Sequence, residues 1–325
     1  MNKYTKAGLT ALAGSLVAVS AAQADWSVSG SGKMSYTTKG GTADRVGAAS
    51  STGSGFGMDK DITVNGSMEM DNGWAVSTTH TLDDGAGSNS AMTVDMGAMG
   101  SLTYNMVDGD IGIGKIDDMT PSADEEVSNG LSDAGDVKTA ATGFHYALSV
   151  EGVSITAGYS PNGEANATQT GGQSGAGKGA SEQSFTISGS PMDGLTVGYG
   201  IGDGQNATDI TKTDSLDTVY AKYAYGPVTV GYQVSTVDYN TAGGNDVDST
   251  RYSIVYAIND DLSISYGEIT NDIATVTADE EMSGFSIGYS MGGMTVKAHA
   301  NKQDNRAGTT TADYEHTEIA VSFAF

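Results

Sequence analysis

Apolar side chains fall on every second residue through most of this chain, and that period constrains its fold more than any other feature. In WSVSGSGKMSY, Trp26, Val28, Met34 and Tyr36 share one parity, while Ser27, Ser29, Ser31, Lys33 and Ser35 share the other. ITVNGSMEM sets Ile62, Val64, Met68 and Met70 against Thr63, Asn65, Ser67 and Glu69. LTVGYGI and RYSIVYAI repeat the pattern with Leu195, Val197, Tyr199 and Ile201, and with Tyr252, Ile254, Tyr256 and Ile258. Successive side chains of a strand point to opposite faces, so each stretch reads as a strand with one apolar and one polar face.

Two kinds of connection join these strands. Short turns carry the Gly, Asn and Asp of tight hairpins: Asp71–Gly73, Gly97–Ala98, Glu151–Gly152, Pro191–Gly194, Gly226–Pro227, Asn259–Asp261 and Met291–Gly293. Between them lie longer polar segments centred near 38–57, 84–89, 107–139, 161–180, 203–213, 240–248, 272–278 and 305–312. Seven turns and eight loops join sixteen strands, an even number that sets the first strand beside the last if the sheet closes.

What covers the apolar faces is the next question. A sandwich or propeller would bury them against a second sheet and would show no systematic alternation of short and long connections. Nor is there the fixed nonapeptide period of a calcium-binding β-helix. A transmembrane β-barrel meets every condition: apolar face to lipid, polar face to a wet lumen, short turns on one side and long loops on the other. Closure is required, because an open edge would leave unpaired backbone groups in hydrocarbon. The expected fold is therefore all-β, an antiparallel 16-stranded transmembrane barrel with long external loops and short periplasmic turns.

Composition agrees and removes other functions. Hydrophobic residues make up 38%, Gly numbers 46, and Asp+Glu 40 outweigh Lys+Arg 15 for a net charge of −25. Such acidity rules out a nucleic-acid binder, which needs a basic patch for phosphates. Without cysteine there is neither disulfide nor thiolate metal site. The four histidines, at 80, 145, 299 and 316, lack metal-ligand spacing, and no nucleophile elbow stands between a strand and a helix, so no catalytic residue is expected. Residues 1–24 differ from the rest: Lys3 and Lys6, then AGLTALAGSLVAVSAA, then Ala22-Gln23-Ala24 read as a cleaved signal peptide with the barrel domain occupying 25–325.

The whole of 25–325, from DWSVSGSGKMSY to AVSFAF, resembles the general porins of Gram-negative outer membranes, in the sixteen-strand branch typical of alphaproteobacteria. The resemblance rests on the layout of turns and loops, one long internal loop after the fifth strand, and the terminal Phe. It implies a homotrimer in outer-membrane lipid and lipopolysaccharide, each subunit passing small hydrophilic solutes through its own aqueous pore. In that family the third loop folds inward and narrows the barrel, its carboxylates facing basic groups on the wall. It also implies that the terminal Phe325, with Phe323, is read by the barrel assembly machinery.

Mapped onto this chain, the third loop is VDGDIGIGKIDDMTPSADEEVSNGLSDAGDVK, and Asp117, Asp118, Asp124 and Glu125 near its middle are the expected constriction acids. Parity turns Lys33, Lys222, Arg251 and Lys297 inward as the pore-wall bases, with His145 and His299 on the same face. This is sparser than the family's usual arginine cluster, and the excess of acid predicts a cation-preferring pore. Trp26, Tyr36, Trp74, Tyr104, Phe144, Tyr146, Tyr159, Tyr199, Tyr223, Tyr225, Tyr232, Tyr256, Tyr266, Phe285, Tyr289, Phe323 and Phe325 are assigned to lipid. No cofactor is expected, although DDGAGSN (Asp83–Asn89) and GGNDVD (Gly243–Asp248) offer oxygens to hard cations such as calcium. Two rival readings share much of this evidence: a structural or adhesive barrel with a blocked lumen, and a soluble acidic β protein of the envelope.

Overall fold

The alternation becomes a single closed sheet in the computed structural model, which describes residues 24–42, 53–107, 110–136, 142–160, 181–205, 212–240, 244 and 246–325. Residues 1–23 of the expected leader, and Gly243 and Asn245 of the second acidic segment, lie outside these described residues. The strands are β1 (Asp25–Gly41), β2 (Gly53–Glu69), β3 (Ala75–Asp83), β4 (Ala86–Asp95), β5 (Ser101–Val107), β6 (Gly143–Val150), β7 (Val153–Ser160) and β8 (Glu182–Met192). They continue as β9 (Leu195–Gln205), β10 (Thr213–Tyr225), β11 (Val228–Asp238), β12 (Val247–Ala257), β13 (Leu262–Ile273), β14 (Glu280–Met291), β15 (Met294–Asp304) and β16 (Tyr314–Ala324). Each pairs antiparallel with its chain neighbours, and β16 returns to β1 to close the barrel.

Closure fixes the register and therefore the faces. Lys33 stands opposite Ser322 on β16 and Asp59 on β2, and Ser322 stands opposite Thr295 on β15. Followed round the ring, these partners carry one polar set inward: Asp61 opposite Asp83, Thr93 opposite Thr103, Gln233 opposite Arg251, Ser286 opposite His299. A one-residue slip anywhere would turn the whole polar set to lipid. The usual burial is inverted as a result. Trp26, Tyr159, Tyr199, Tyr232, Tyr256 and Phe285 are exposed on the outer face, while Gln233, Ser235, Arg251, Asn271, Asn301 and Gln303 are buried inside. The last residue belongs to the seam: Phe325 N–H donates to Gly30 O at 2.8 Å, and the residue is 84% exposed.

Two connections are type I′ hairpins of two residues, Glu151–Gly152 (φ 50° and 83°) and Asp84–Gly85 (φ 47° and 92°). The second corrects the sequence reading, which placed a long loop over 84–89. Asp-Gly is a favoured I′ pair, so the chain reverses there at once. The Gly, Ser and Asn that follow belong to β4, on whose lumen face small polar residues are normal.

Candidate functional site

The third loop does not stay outside. Residues 110–136 leave β5 and cross the lumen, and a short 3-10 helix (Gly112–Ile116) begins the crossing. Asn105 Nδ2 donates to Asp110 O at 3.4 Å, Gly112 N–H to His145 Nδ1 at 3.2 Å, and Ile113 N–H to Ser184 Oγ at 3.1 Å. Ile113 and Ile116 then pack on Tyr220, with Met119 and Leu216 at the edge. Among the described residues this is the one buried apolar cluster, and it lies inside the barrel rather than in a wall.

The next stretch is held by polar wall groups. Gln233 donates from Nε2 to Ile116 O (2.8 Å) and Asp117 O (2.9 Å), and its Oε1 accepts from Met119 N–H at 2.7 Å. Ser253 Oγ donates to Pro121 O at 2.5 Å, and Ala123 N–H donates to Ser265 Oγ at 3.1 Å. Asn301 donates to Asn129 O at 3.1 Å, Gln303 to Ser132 O at 2.5 Å, and Ala134 N–H to Glu280 Oε1 at 3.1 Å.

Between these polar contacts, the closest approaches of the loop fall where the wall lacks a Cβ. A Cβ on Gly158 would come within 2.7 Å of Gly112 N, one on Gly231 within 2.3 Å of Pro121, and one on Gly288 within 2.3 Å of Ala123 O. A glycine inside a strand marks just such a close approach.

Every partner of the loop described above lies between β5 and β15, and none of these bonds goes to β1–β4. The open lumen therefore runs between the exposed side of the loop and the inner face of β1–β4. That free wall carries Thr63 bonded to Thr81 (3.0 Å), Thr79 donating to Asn65 (2.9 Å), and three acids. Asp59, Asp61 and Asp83 bring one carboxylate oxygen each within 4.8 Å of one another. Lys33 stands 3.9 Å from Asp59, in an exposed and loose ion pair.

On the loop, burial beside Asp136 and Asp110 pushes the Asp117 carboxyl up to about 7. Burial also raises Asp118, against the opposing pull of the Arg251 charge and of hydrogen bonds from Thr120. Glu126 is raised by burial and by the neighbouring acids. Burial works against ionisation of Asp124 as well, but the His299 hydrogen bond and the Lys297 charge outweigh it and hold this carboxyl below the ordinary range.

A sequence profile of Gram-negative porins matches residues 8–325. The chain belongs to the Gram-negative porin family. A search among curated proteins finds no match, but solved structures agree on the fold. A refined porin structure shares 14% identity at a TM-score of 0.67, covering 93% of this chain and all (100%) of its own. OmpT of Vibrio cholerae shares 12% at 0.66, with 94% and 99% covered. An anion-selective porin from Comamonas acidovorans shares 11% at 0.65, with 93% and 100% covered. The porin is thus a non-enzymatic channel of the outer membrane.

Against this frame the expected site residues separate. Lys33 faces the open lumen. Lys297, two strands away across β16, is bound to Asp124 at 3.2 Å, so its charge is matched within the loop contact. Lys222 points inward on β10, next to the turn at Gly226, and is half buried. Arg251 also points inward but is only 2% exposed, sealed behind the loop against Asp133 at 2.8 Å. Of the four loop acids, Asp124 is turned into the wall, where His299 Nδ1 meets it at 2.8 Å. Asp117 and Asp118 are half buried and Glu125 is exposed. Sequence reading missed Gln233, Glu280 and the stacked pair His299–His316, whose ring nitrogens lie 3.0 Å apart. A signal for them was present, because glycines at inward positions of β7, β9, β11 and β14 announce where a chain segment lies on the wall.

Proposed function

We propose that this porin forms a water-filled channel that lets small hydrophilic solutes and ions diffuse through the outer membrane, with preference for cations. The observation that carries the reading is the charge left in the open crescent. Asp59, Asp61 and Asp83 cluster on the free wall and Glu125 is exposed on the loop, with Asp117 and Asp118 half-buried beside it, whereas Arg251 and Lys297 are paired with Asp133 and Asp124. Fixed negative charge on both sides of a narrow passage raises the local cation concentration. The fold alone does not set the sign, since a structural neighbour is described as anion-selective.

Purified protein in a planar bilayer under a salt gradient tests the reading. Stepwise currents with a cation-selective reversal potential are expected, and an anion-selective potential would refute the charge assignment. The triple change D59N/D61N/D83N should lower the cation-to-anion permeability ratio by about twofold or more.

The wider context follows the family resemblance. Removal of residues 1–24 is supported by the Lys3/Lys6 start and the Ala22-Gln23-Ala24 site, and it leaves the remaining chain still more acidic. A homotrimer embedded in lipid and lipopolysaccharide is supported by the resemblance and by the exposed aromatic outer face. Recognition by the barrel assembly machinery is supported by Phe323 near the end of β16 and Phe325 just after it. N-terminal sequencing of the exported protein, and the size of the detergent-extracted species before heating, test the first two inferences.

A further inference from the structure

Behind the loop, where no solute passes, three wall side chains grip three consecutive loop residues. Arg251 on β12 forms an ion pair with Asp133 at 2.8 Å, with side chains 2% and 5% exposed, and donates from Nη2 to Gly135 O at 3.1 Å. Asn271 on β13 donates to Asp133 Oδ1 at 2.8 Å and to Glu280 Oε1 at 2.9 Å. Glu280 on β14 accepts Ala134 N–H at 3.1 Å with that same oxygen, and Ala307 N–H at 2.7 Å with the other. The approach is close because Gly135 has no side chain: a Cβ there would lie 2.4 Å from both Asn271 Oδ1 and Ser249 Cβ.

A buried ion pair seldom adds net stability over an apolar pair of the same shape, because desolvation offsets its attraction. Its use is geometric. The guanidinium reaches a side chain and a backbone carbonyl of one short segment, which a shorter, compact ammonium at the same Cα would not reproduce.

We propose that Arg251 is a positioning residue of the channel: buried behind the inward loop, it fixes residues 133–135 against β12–β14 and thereby sets the aperture between that loop and the free wall. The inference deepens the channel reading above and rests on it. Arg251 touches no solute. Its influence on permeation passes through the loop, and so its loss acts on the width and steadiness of the passage, not on the sign of its charge.

Two variants separate this role from that of a wall charge. Arg251→Lys keeps the charge and loses the reach, whereas Gly135→Ala keeps every charge and pushes the same segment off the wall. In planar bilayers each should raise open-level current noise about twofold or more, as expected when a docked segment gains local freedom. Each should also shift the size cut-off for neutral sugars in vesicle-swelling assays, while the reversal potential in a salt gradient stays at the wild-type value. Because both changes free the same segment, the double variant should be no noisier than the worse single one.

Wild-type noise and cut-off in a folded Arg251→Lys would overturn the proposal, as would a shifted reversal potential without added noise. If Arg251→Lys fails to give the compact, heat-modifiable band of a folded barrel, Gly135→Ala decides alone by the same readings. A wild-type protein that gives no current steps overturns the channel reading and this proposal with it. A conducting wild type whose folded variants keep its noise and size cut-off overturns only the positioning role of Arg251.

Discussion

The inner face of β1–β4 and the inner face of β6–β16 obey the same polar alternation, yet one lines the passage and the other is upholstered by the third loop. Their glycines explain the difference. On β7, β9, β11 and β14 the glycines Gly158, Gly200, Gly231 and Gly288 share the lumen parity, and the loop lies directly on them. On β1 and β2, Gly30, Gly32 and Gly66 share the outward parity, and Gly66 makes room for the Trp26 ring on the lipid side. Most inward positions there hold Ser, Thr, Asp, Asn or Lys instead, and the inward Gly55 has nothing within 4 Å of a Cβ. On the covered wall, glycines let the chain approach between polar side chains that bind it; on the free wall the inward side chains meet water and solute.

The contrast can be broken from either side. The largest effect is expected at Gln233→Leu, which removes the partner of Met119 N–H, Ile116 O and Asp117 O at once. Leaving these loop groups unpaired should cost about 3 kcal/mol in detergent unfolding and release the middle of the loop. Unchanged conductance and unfolding would show that the apolar cluster around Tyr220 holds the loop by itself.

Next comes a matched pair of glycines. Gly231→Val drives side-chain atoms into Pro121 and should cost about 2 kcal/mol while narrowing the channel. Gly55→Val, at an inward site of β2 with nothing within 4 Å of a Cβ, should leave both nearly unchanged. Equal sensitivity at the two sites would erase the distinction between covered and free wall.

Proton uptake sharpens the comparison further. Asp117 has its carboxyl pushed up to about 7, so lowering pH from 8 to 6 discharges a lumen acid and should reduce cation preference. The docked loop favours the protonated form of this raised acid. Its contribution to docking is therefore full below the ordinary carboxylate range and is lost as pH rises towards 7. Reversal potentials at several pH values check the first effect, and Asp117→Asn should flatten the profile.

The smallest change expected is Lys33→Ala on the free wall. Its loose pair with Asp59 at 3.9 Å is exposed, so unfolding should move by no more than about 0.5 kcal/mol. Cation preference should nonetheless rise slightly, because the change removes a positive charge from the open side.

Much of the barrel was legible because parity needs only neighbouring residues. The sixteen strands, the faces of Trp26, Lys33, Tyr256 and Phe325, and the pairing of the first strand with the last all follow from counting. The exception at 84–89 shows the limit: polar small residues mark a loop in most proteins, but on a lumen face they are ordinary strand residues. Depth was not legible. Lys33, Lys297 and Arg251 share a parity, yet one meets the open channel, one meets Asp124 and one is sealed behind Asp133. What separates them is the path of a loop more than a hundred positions away from Arg251, as its bond to Gly135, 116 residues apart in sequence, records. No local pattern encodes that path. The inward glycines do hint at it.

The seam has a consequence for how such a chain reaches its final state. Fifteen of the sixteen pairings join consecutive strands and require only local search. The remaining one unites residues as distant as Thr37 and Glu318, whose side chains bond at 2.9 Å across 281 positions. The entropy of closing so large a ring grows only with the logarithm of its length, so the distance itself is affordable. The vulnerable interval lies earlier, when the ribbon of strands is complete but its two rims are unpaired and open to any passing strand. The rungs from Ser31–Ala324 to Gly41–Tyr314 end that interval, converting a sticky ribbon into a tube with no rim to share.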